Sequence, residues 1–495
     1  MSYNVYPVIH RPEDYSEYTV KINGKEIETN SCRVSKEPFN RRWPGHQRQM
    51  DQSELSAFVS LETDEPLDFE IITTRSFDKV DIRPISLGIK PQINGNSIKF
   101  RLDKPAYFTV EPFGRHNALH IFADPVYKYT IDKNEVIYYG KGEHDVGEIE
   151  LKSNQTLFID EGAVVYACIK AYDADNIKII GRGILDNSRN KEKILFEVNA
   201  DDNSADVGNA KRQHTVQLEY CTNILIDGIT IRDSLVYNIR PICCINLDIR
   251  NVKIIGCWRF NSDGIDMHNC ENVHISDCFI RTFDDAICVK GFDFYQNEDD
   301  MNHNGRLYNT FRNVIAENCV IWNDWGKSLE IGAETRAEEI CNICFKSCDV
   351  IHVSGPVLDS MNVDYADVHD IVYKNINVEF DDIIPQGKIQ KNDAHKYDDD
   401  PTDTECTPHL ILSEVVFHEE YSAGGKKRGK NHDITYKNIH LFGRQPIRIH
   451  TAGFDDEHKC SNITIDGLYK NGKKVTSLDE CDYTENEYCE NIILK

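Results

Sequence analysis

Short apolar runs, alternating with polar positions and separated by Asn, Asp and Gly, fill the chain from about residue 150 to its end. The recurring unit is Asn or Asp, then Ile or Val, one further residue and an apolar residue. It appears as Asn176-Ile177-Lys178-Ile179, Asn223-Ile224-Leu225-Ile226, Asn251-Val252-Lys253-Ile254 and Asn272-Val273-His274-Ile275. It continues at Asn313, Asn342, Asp370, Asp433, Asn462 and Asn491. Several units stand 21 to 29 residues apart, and polar insertions occupy the longer gaps. Alternation with period two marks strands, and no run carries a helical period. A fixed repeat of this length built from short strands signals a solenoid. The Leu-x-x-Leu-x-Leu frame of leucine-rich repeats is missing, so the pattern predicts an all-β chain with a parallel β-helix.

Cys257, Cys278, Cys319 and Cys348 each follow a repeat Asn by six residues, and Ile229, Ile376, Ile439 and Leu468 fill that slot in other units. Such a slot predicts an inward ladder in which Cys serves as a small hydrophobe. Cys341-x-x-Cys344 has the form of a metal or redox motif, but without a second pair at zinc spacing it reads as structural. Residues 1 to about 125 lack the repeat. They show alternating runs at 18–22, 69–72, 97–100 and 119–122, and Asn23-Gly24 marks a hairpin turn. This predicts an N-terminal β-sandwich over 1–125, with the role of capping the open end of a β-helix over 126–495.

Polar insertions interrupt the repeat at about 190–212, 292–310 and 381–430. Insertions in a solenoid grow from its turns and gather on one face, so they are expected to wall a cleft. The plainer alternatives are variable surface loops or a contact between copies in a homo-oligomer. The formal charge of −26 disfavours nucleic acid, anionic membranes and long polyanionic substrates. No basic start followed by an apolar run, and no stretch of membrane-spanning length, is visible. Seventeen cysteines, an odd number placed at core positions, point to reduced thiols and a cytoplasmic location.

The chemistry concentrates in Asn261-Ser262-Asp263-Gly264-Ile265-Asp266 and Phe283-Asp284-Asp285-Ala286-Ile287-Cys288-Val289-Lys290-Gly291. Asp263 and Asp284 are 21 residues apart, close to one coil, which brings Asp263, Asp284 and Asp285 onto neighbouring rungs. A lone Asp in such a turn is structural more often than not. Three within 23 residues are expected to repel, raising one pKa and leaving the others ionised, which makes an acid and a base from one residue type. Clustered carboxylates are what acid–base cleavage of a glycosidic bond needs.

These two segments resemble the signature of glycoside hydrolase family 28, the polygalacturonase family of right-handed parallel β-helices, over roughly residues 150–380. Leu151-Lys152-Ser153-Asn154-Gln155-Thr156-Leu157 and Gly181-Arg182-Gly183-Ile184-Leu185-Asp186 resemble that family's first coils, and a sandwich ahead of the β-helix also resembles family 49. The resemblance implies inverting hydrolysis without cofactor or metal, with Asp284 as the acid and Asp263 and Asp285 activating water. Rung stacking alone does not establish inversion, because strands on adjacent coils lie about 4.8 Å apart and inverting carboxyl pairs about 6.5–9.5 Å.

The departures bear on substrate. The family's Gly-His-Gly aligns with Gly326-Lys327-Ser328, so Lys327 stands in place of a histidine. Its basic Arg-Ile-Lys motif should fall near 355–365, where no basic residue occurs; Arg448-Ile449-His450 lies too many coils on. A neutral glycan or imported oligosaccharide therefore fits better than polygalacturonan. Trp258, Trp322 and Trp325 lie on or beside the acidic rungs as candidate sugar platforms, with packing as the alternative. Trp325 and Lys327 lead the candidate substrate contacts, followed by Asp266, Lys290, Asn362 and Glu330, the last placed by alternation on the strand face opposite Lys327. His268 and His303 carry no catalytic mark. A β-helix lyase or epimerase, with Lys327 neutralising a uronate, and a carbohydrate-binding solenoid with a dead site are the other readings.

Overall fold

The computed structural model describes residues 3–9, 13, 15–41, 50–193, 197–198, 205–206, 213–292, 301–382, 387–390, 398–399, 407–419 and 421–495. In the N-terminal part, Asn23 and Gly24 supply the two consecutive positive φ angles of a tight hairpin joining Tyr18–Ile22 to Lys25–Ile27. Those strands lie in a five-stranded sheet with Leu67–Thr73, Ser97–Leu102 and Gln92–Asn94. A six-stranded sheet faces it, built from Tyr3–Val5, Asn30–Ser35, Ser53–Thr63, Leu119–Pro125, Ala106–Arg115 and Asp81–Arg83. Alternate residues point inward, so Val20, Phe69, Ile71 and Ile98 of one sheet share a buried core with Val59, Leu61, Phe108 and Ile121 of the other.

From Ile137 to Leu494 the chain is a right-handed parallel β-helix in which thirty strands among the described residues form one continuous hydrogen-bonded sheet. Over most of its length each strand pairs in parallel with the strand three places later, which makes three strand columns per coil. The repeat Asn marks one corner. Asn223, Asn272, Asn313 and Asn342 adopt positive φ, and their amides bond from coil to coil, Asn313 to Asn272 at 2.9 Å and Asn342 to Asn313 at 2.7 Å. Asn tolerates the left-handed conformation, and the ladder satisfies its side chain.

One unit is displaced from its expected register. Leu247 pairs with Ile224 and Val273, so the ladder Asn of that coil is Asn246, which bonds Asn223 and Asn272. Asn251 sits one corner later and bonds Asp227. The inward slot of that coil is therefore Val252 and not Cys257. Cys278, Cys319 and Cys348 do occupy the slot, buried in a column with Ile229, Ile376, Ile439 and Leu468.

The sandwich also sits differently from expectation: it lies along the flank of the β-helix instead of only closing its end. Cys32, Val34, Phe58, Tyr107 and Phe122 bury against Ile255, Phe279, Val320, Trp322 and Ile351, which come from four successive coils. Charged groups stitch the same seam. Lys253 donates to both Asp124 oxygens at 3.1 Å, Arg115 to Asp324 at 2.6 Å, and His352 lies 3.0 Å from Glu111 and 2.8 Å from Asp381. Much of the three insertions, and so their expectation as cleft walls, falls outside the described residues. Of what is described, Lys388–Gln390 runs parallel to Phe39–Arg41, and the Gly424 amide donates to Asp364.

Candidate active site

The acidic segments form turns entering one strand column. Ile265 pairs with Ile287 and Ile287 with Leu329, and the Gly264 amide donates to Asp285 O while the Ala286 amide donates to Lys327 O. Asp263, Asp285 and Lys327 therefore hold equivalent places on three consecutive coils. Asp285, not Asp284, is the residue stacked on Asp263; Asp284 projects from the preceding position. One carboxylate oxygen from each of Asp263, Asp284 and Asp285 lies within 4.8 Å of the other two.

Close backbone approach sets this geometry. A Cβ on Gly326 would fall 2.5 Å from Asp285 N and 2.6 Å from Asp284 C, so only glycine lets the next coil pass beneath the pair. The Asn323 amide then clamps the turn, donating to Asp284 O at 2.6 Å and Lys327 O at 3.3 Å, and Asn238 donates to Asp263 O at 2.6 Å. The Asp284 Oδ1 accepts the Asp285 amide, and Asp285 Oδ1 accepts the Lys327 amide at 2.9 Å.

The electrostatics separate the carboxylates. Asp263 is 2% exposed with one oxygen lacking a hydrogen-bond partner, and burial, followed by the charges of Asp266 and Asp284, holds its pKa well above the usual range. Burial also works to raise Asp285, but Lys290, Lys327 and the Lys327 amide outweigh it and hold this carboxyl low. Lys290 lies 3.2 Å from Asp266, 3.4 Å from Asp285 and 3.7 Å from Glu334. Lys327 Nζ donates to Glu330 at 2.8 Å and sits 3.0 Å from Asp359. Burial pushes Glu330 well up, and it pushes Asp359, against the pull of Lys327, to about 6.

Lys327 and Glu330 thus meet, although alternation placed them on opposite faces. Lys327 belongs to the turn before Leu329–Ala333, where period two does not apply. Asp266, Lys290 and Glu330, expected at a substrate, are buried; Asp266 and Lys290 act on the trio through charge, and Glu330 through a hydrogen bond with Asp285. Trp322 is fully buried in the seam with the sandwich; its indole donates to Asp324 at 2.8 Å and Arg281 covers its face at 3.7 Å. It offers no sugar platform. Trp258 is buried and donates to Asp233. Trp325 stacks on Phe283 at 5.4 Å, with Phe260 at 5.6 Å, as a buried wall behind the acidic turn. Asn362 is buried and bonded to Thr335, Ala366 and Asn431, so it pins neighbouring coils.

Asn238, Asn323 and Asp359 are not picked out by the sequence, and Gly326 stands there only as part of the aligned Gly326-Lys327-Ser328 segment. Asp359 had a readable signal, since Leu358-Asp359-Ser360 repeats the frame of Leu329-Glu330-Ile331 one coil on. Asn238 and Asn323 had none, because each is recognised only by the carbonyl it holds.

Residues 140–419 match the family described as Glycosyl hydrolases family 28. A probable polygalacturonase of Vitis vinifera is 28% identical over 193 residues, covering 34% of this chain and 39% of that protein. A polygalacturonase of Gossypium barbadense is 30% identical over 144 residues, covering 29% and 33%. These matches thus span only about a third to two fifths of the relatives' length. Among solved structures, Dex49A from Penicillium minioluteum superposes with a TM-score of 0.60 over 98% of this chain and 96% of its own, at 14% identity, a likeness of fold that includes the sandwich. With the family match extending over more than half of the residues and across both acidic turns, the chain belongs to glycosyl hydrolases family 28.

Proposed function

We propose that the protein is a glycoside hydrolase that cleaves a neutral poly- or oligosaccharide by carboxylate acid–base catalysis with inversion at the anomeric carbon. The observation that carries this reading is the meeting of Asp263, Asp284 and Asp285 within 4.8 Å, one carboxyl held protonated by burial and one held ionised by two lysines. Asp285 is the base. Asp284, at 8% exposed more accessible than Asp263, delivers the proton that Asp263 holds to the leaving oxygen. Asp263 and Asp285 together hold the attacking water.

Inversion rests on family membership and not on that distance, which is nearer the roughly 5–5.5 Å of retaining pairs than the roughly 6.5–9.5 Å of inverting ones. Proton NMR of the first-formed product decides it: the anomer opposite to the substrate's is expected, and the same anomer would overturn inversion. Asp284→Asn should abolish cleavage of an unactivated glycan while sparing a dinitrophenyl glycoside, whose leaving group needs no proton. Full activity of that variant on a natural linkage removes Asp284 as the acid.

The preference for a neutral sugar is supported by Lys290 and Lys327 being matched by carboxylates, which leaves neither to pair with a uronate. The same pairing argues against β-elimination, which needs the substrate carboxylate neutralised. A panel of neutral and acidic oligosaccharides tests this. Turnover of polygalacturonate faster than any neutral glycan, or an ultraviolet-absorbing unsaturated product, would sink it. The sixteen described cysteines are all free thiols, which supports a reducing, cytoplasmic address.

A further inference from the structure

The Cys341-x-x-Cys344 motif does not form a pair. Asn342 takes φ 55 between them and turns the chain through a corner, so the two thiols lie on different sides of it. Cys341 instead meets residues of its own and the next coil. Its register partner is His369, and Glu339 lies opposite Asp367. One donor atom each of Glu339, Cys341 and His369 lies within 4.8 Å of the other two.

Three features make this more than a chance cluster. The donors are mixed, a thiol, an imidazole and a carboxylate, the set preferred by zinc and similar borderline divalent ions. His369 is already oriented as a ligand: Nδ1 lies 2.8 Å from Asp370, leaving Nε2 aimed at Glu339 at 3.1 Å. A carboxylate behind a histidine is the usual support of a metal-bound imidazole, fixing its tautomer and raising its basicity. The site is also reachable, with the side chains of His369 and Glu339 20% and 37% exposed while Cys341 is 9% exposed beneath them. The neighbouring cation, Arg312, is drawn off to Glu271 at 2.5 Å.

We propose that Glu339, Cys341 and His369 bind one divalent zinc-type cation on the outer surface of the β-helix, remote in sequence from the catalytic turns and clamping two adjacent coils. Donor atoms around tetrahedral zinc are roughly 3.5 Å apart, so small side-chain rotations close the site, with water as the fourth ligand. Binding displaces the thiol proton of Cys341 and any proton on His369 Nε2 to solvent; no oxidation state changes.

Cobalt(II) titration of the tag-free full chain tests this, because a thiolate-to-cobalt charge-transfer band reports sulfur ligation alone. One equivalent is expected to raise the band and to increase the melting temperature. Cys341→Ser and His369→Ala should remove both effects, while Cys344→Ser keeps them. Asp370→Ala should weaken binding roughly 10–100-fold in competition with a chromophoric chelator. The absence of a band in the wild type, or a band that survives Cys341→Ser and is lost with Cys344→Ser, overturns the proposal. His369→Ala, altered at the surface, keeps the test decisive if Cys341→Ser folds poorly.

Discussion

Asp285 owes its low pKa to two lysines that are themselves paired with other carboxylates, so its ionisation is set by residues that need not touch substrate. Lys327→Met should therefore move the acidic limb of kcat/KM to higher pH, since removing a cation raises the carboxyl it stabilised. The alkaline limb should follow Asp263, whose raised pKa means that activity falls as pH rises through it. A pH profile of wild type and variant checks both, and an unmoved acidic limb would detach Lys327 from Asp285. Gly326→Ala puts a methyl 2.5 Å from Asp285 N and must displace the acidic turn. A loss of about 100-fold in kcat is expected, the usual cost of about 1 Å of misplacement. The trio itself was legible in sequence, because three carboxylates interrupted an apolar frame. Its supports were not, since Asn323 is distinguished only by the Asp284 and Lys327 carbonyls that it bridges.

At the scale of the coil, the Asn corner and the inward slot decide the architecture. Asn313 combines a left-handed backbone with two ladder bonds, donating to Asn272 and accepting from Asn342. Asn313→Ala should cost about 2–3 kcal/mol, from left-handed strain of about 1–2 kcal/mol and loss of two exposed side-chain bonds worth about 0.5 kcal/mol each. Asn313→Gly should recover the strain part. Denaturant melts of the two variants measure the difference, and equal losses would show that conformation is not what the Asn supplies. Asn251, expected from the local pattern to share a corner with Asn223 and Asn272, turns the next corner instead, and Asn246 takes the expected place. Both corners accept Asn in the left-handed region, so local pattern alone does not say which corner an Asn occupies; pairing with Ile224 and Val273 does.

Over the whole molecule, the seam between sandwich and β-helix combines an apolar cluster with buried charge pairs. His352 joins Glu111 of the sandwich to Asp381 of the β-helix. Burial alone would depress its pKa, but the two carboxylates outweigh burial and raise it above the ordinary value. Because the folded value exceeds the unfolded one, about 6.5, this contribution is full below that pH and is lost as pH rises through the folded value. At the acid end Asp381, lowered to about 2, contributes above its unfolded pKa of about 3.9 and is lost as pH falls toward 2. The melting temperature should thus decline from pH 6 to 9 in the wild type, and less so in His352→Gln; parallel profiles would remove His352 from the seam. The repeat period, the β-branched runs and the acidic turns were enough to determine from sequence a β-helix, a sandwich ahead of it and a carboxylate trio, because each is a local regularity that recurs along the chain. Only the tertiary structure decided which corner each Asn turns, that the sandwich lies along the flank, that Trp322 is sealed in that seam and that Lys327 is paired with Glu330 and Asp359. Those outcomes depend on which residues meet across coils, and neither alternation nor spacing carries that information.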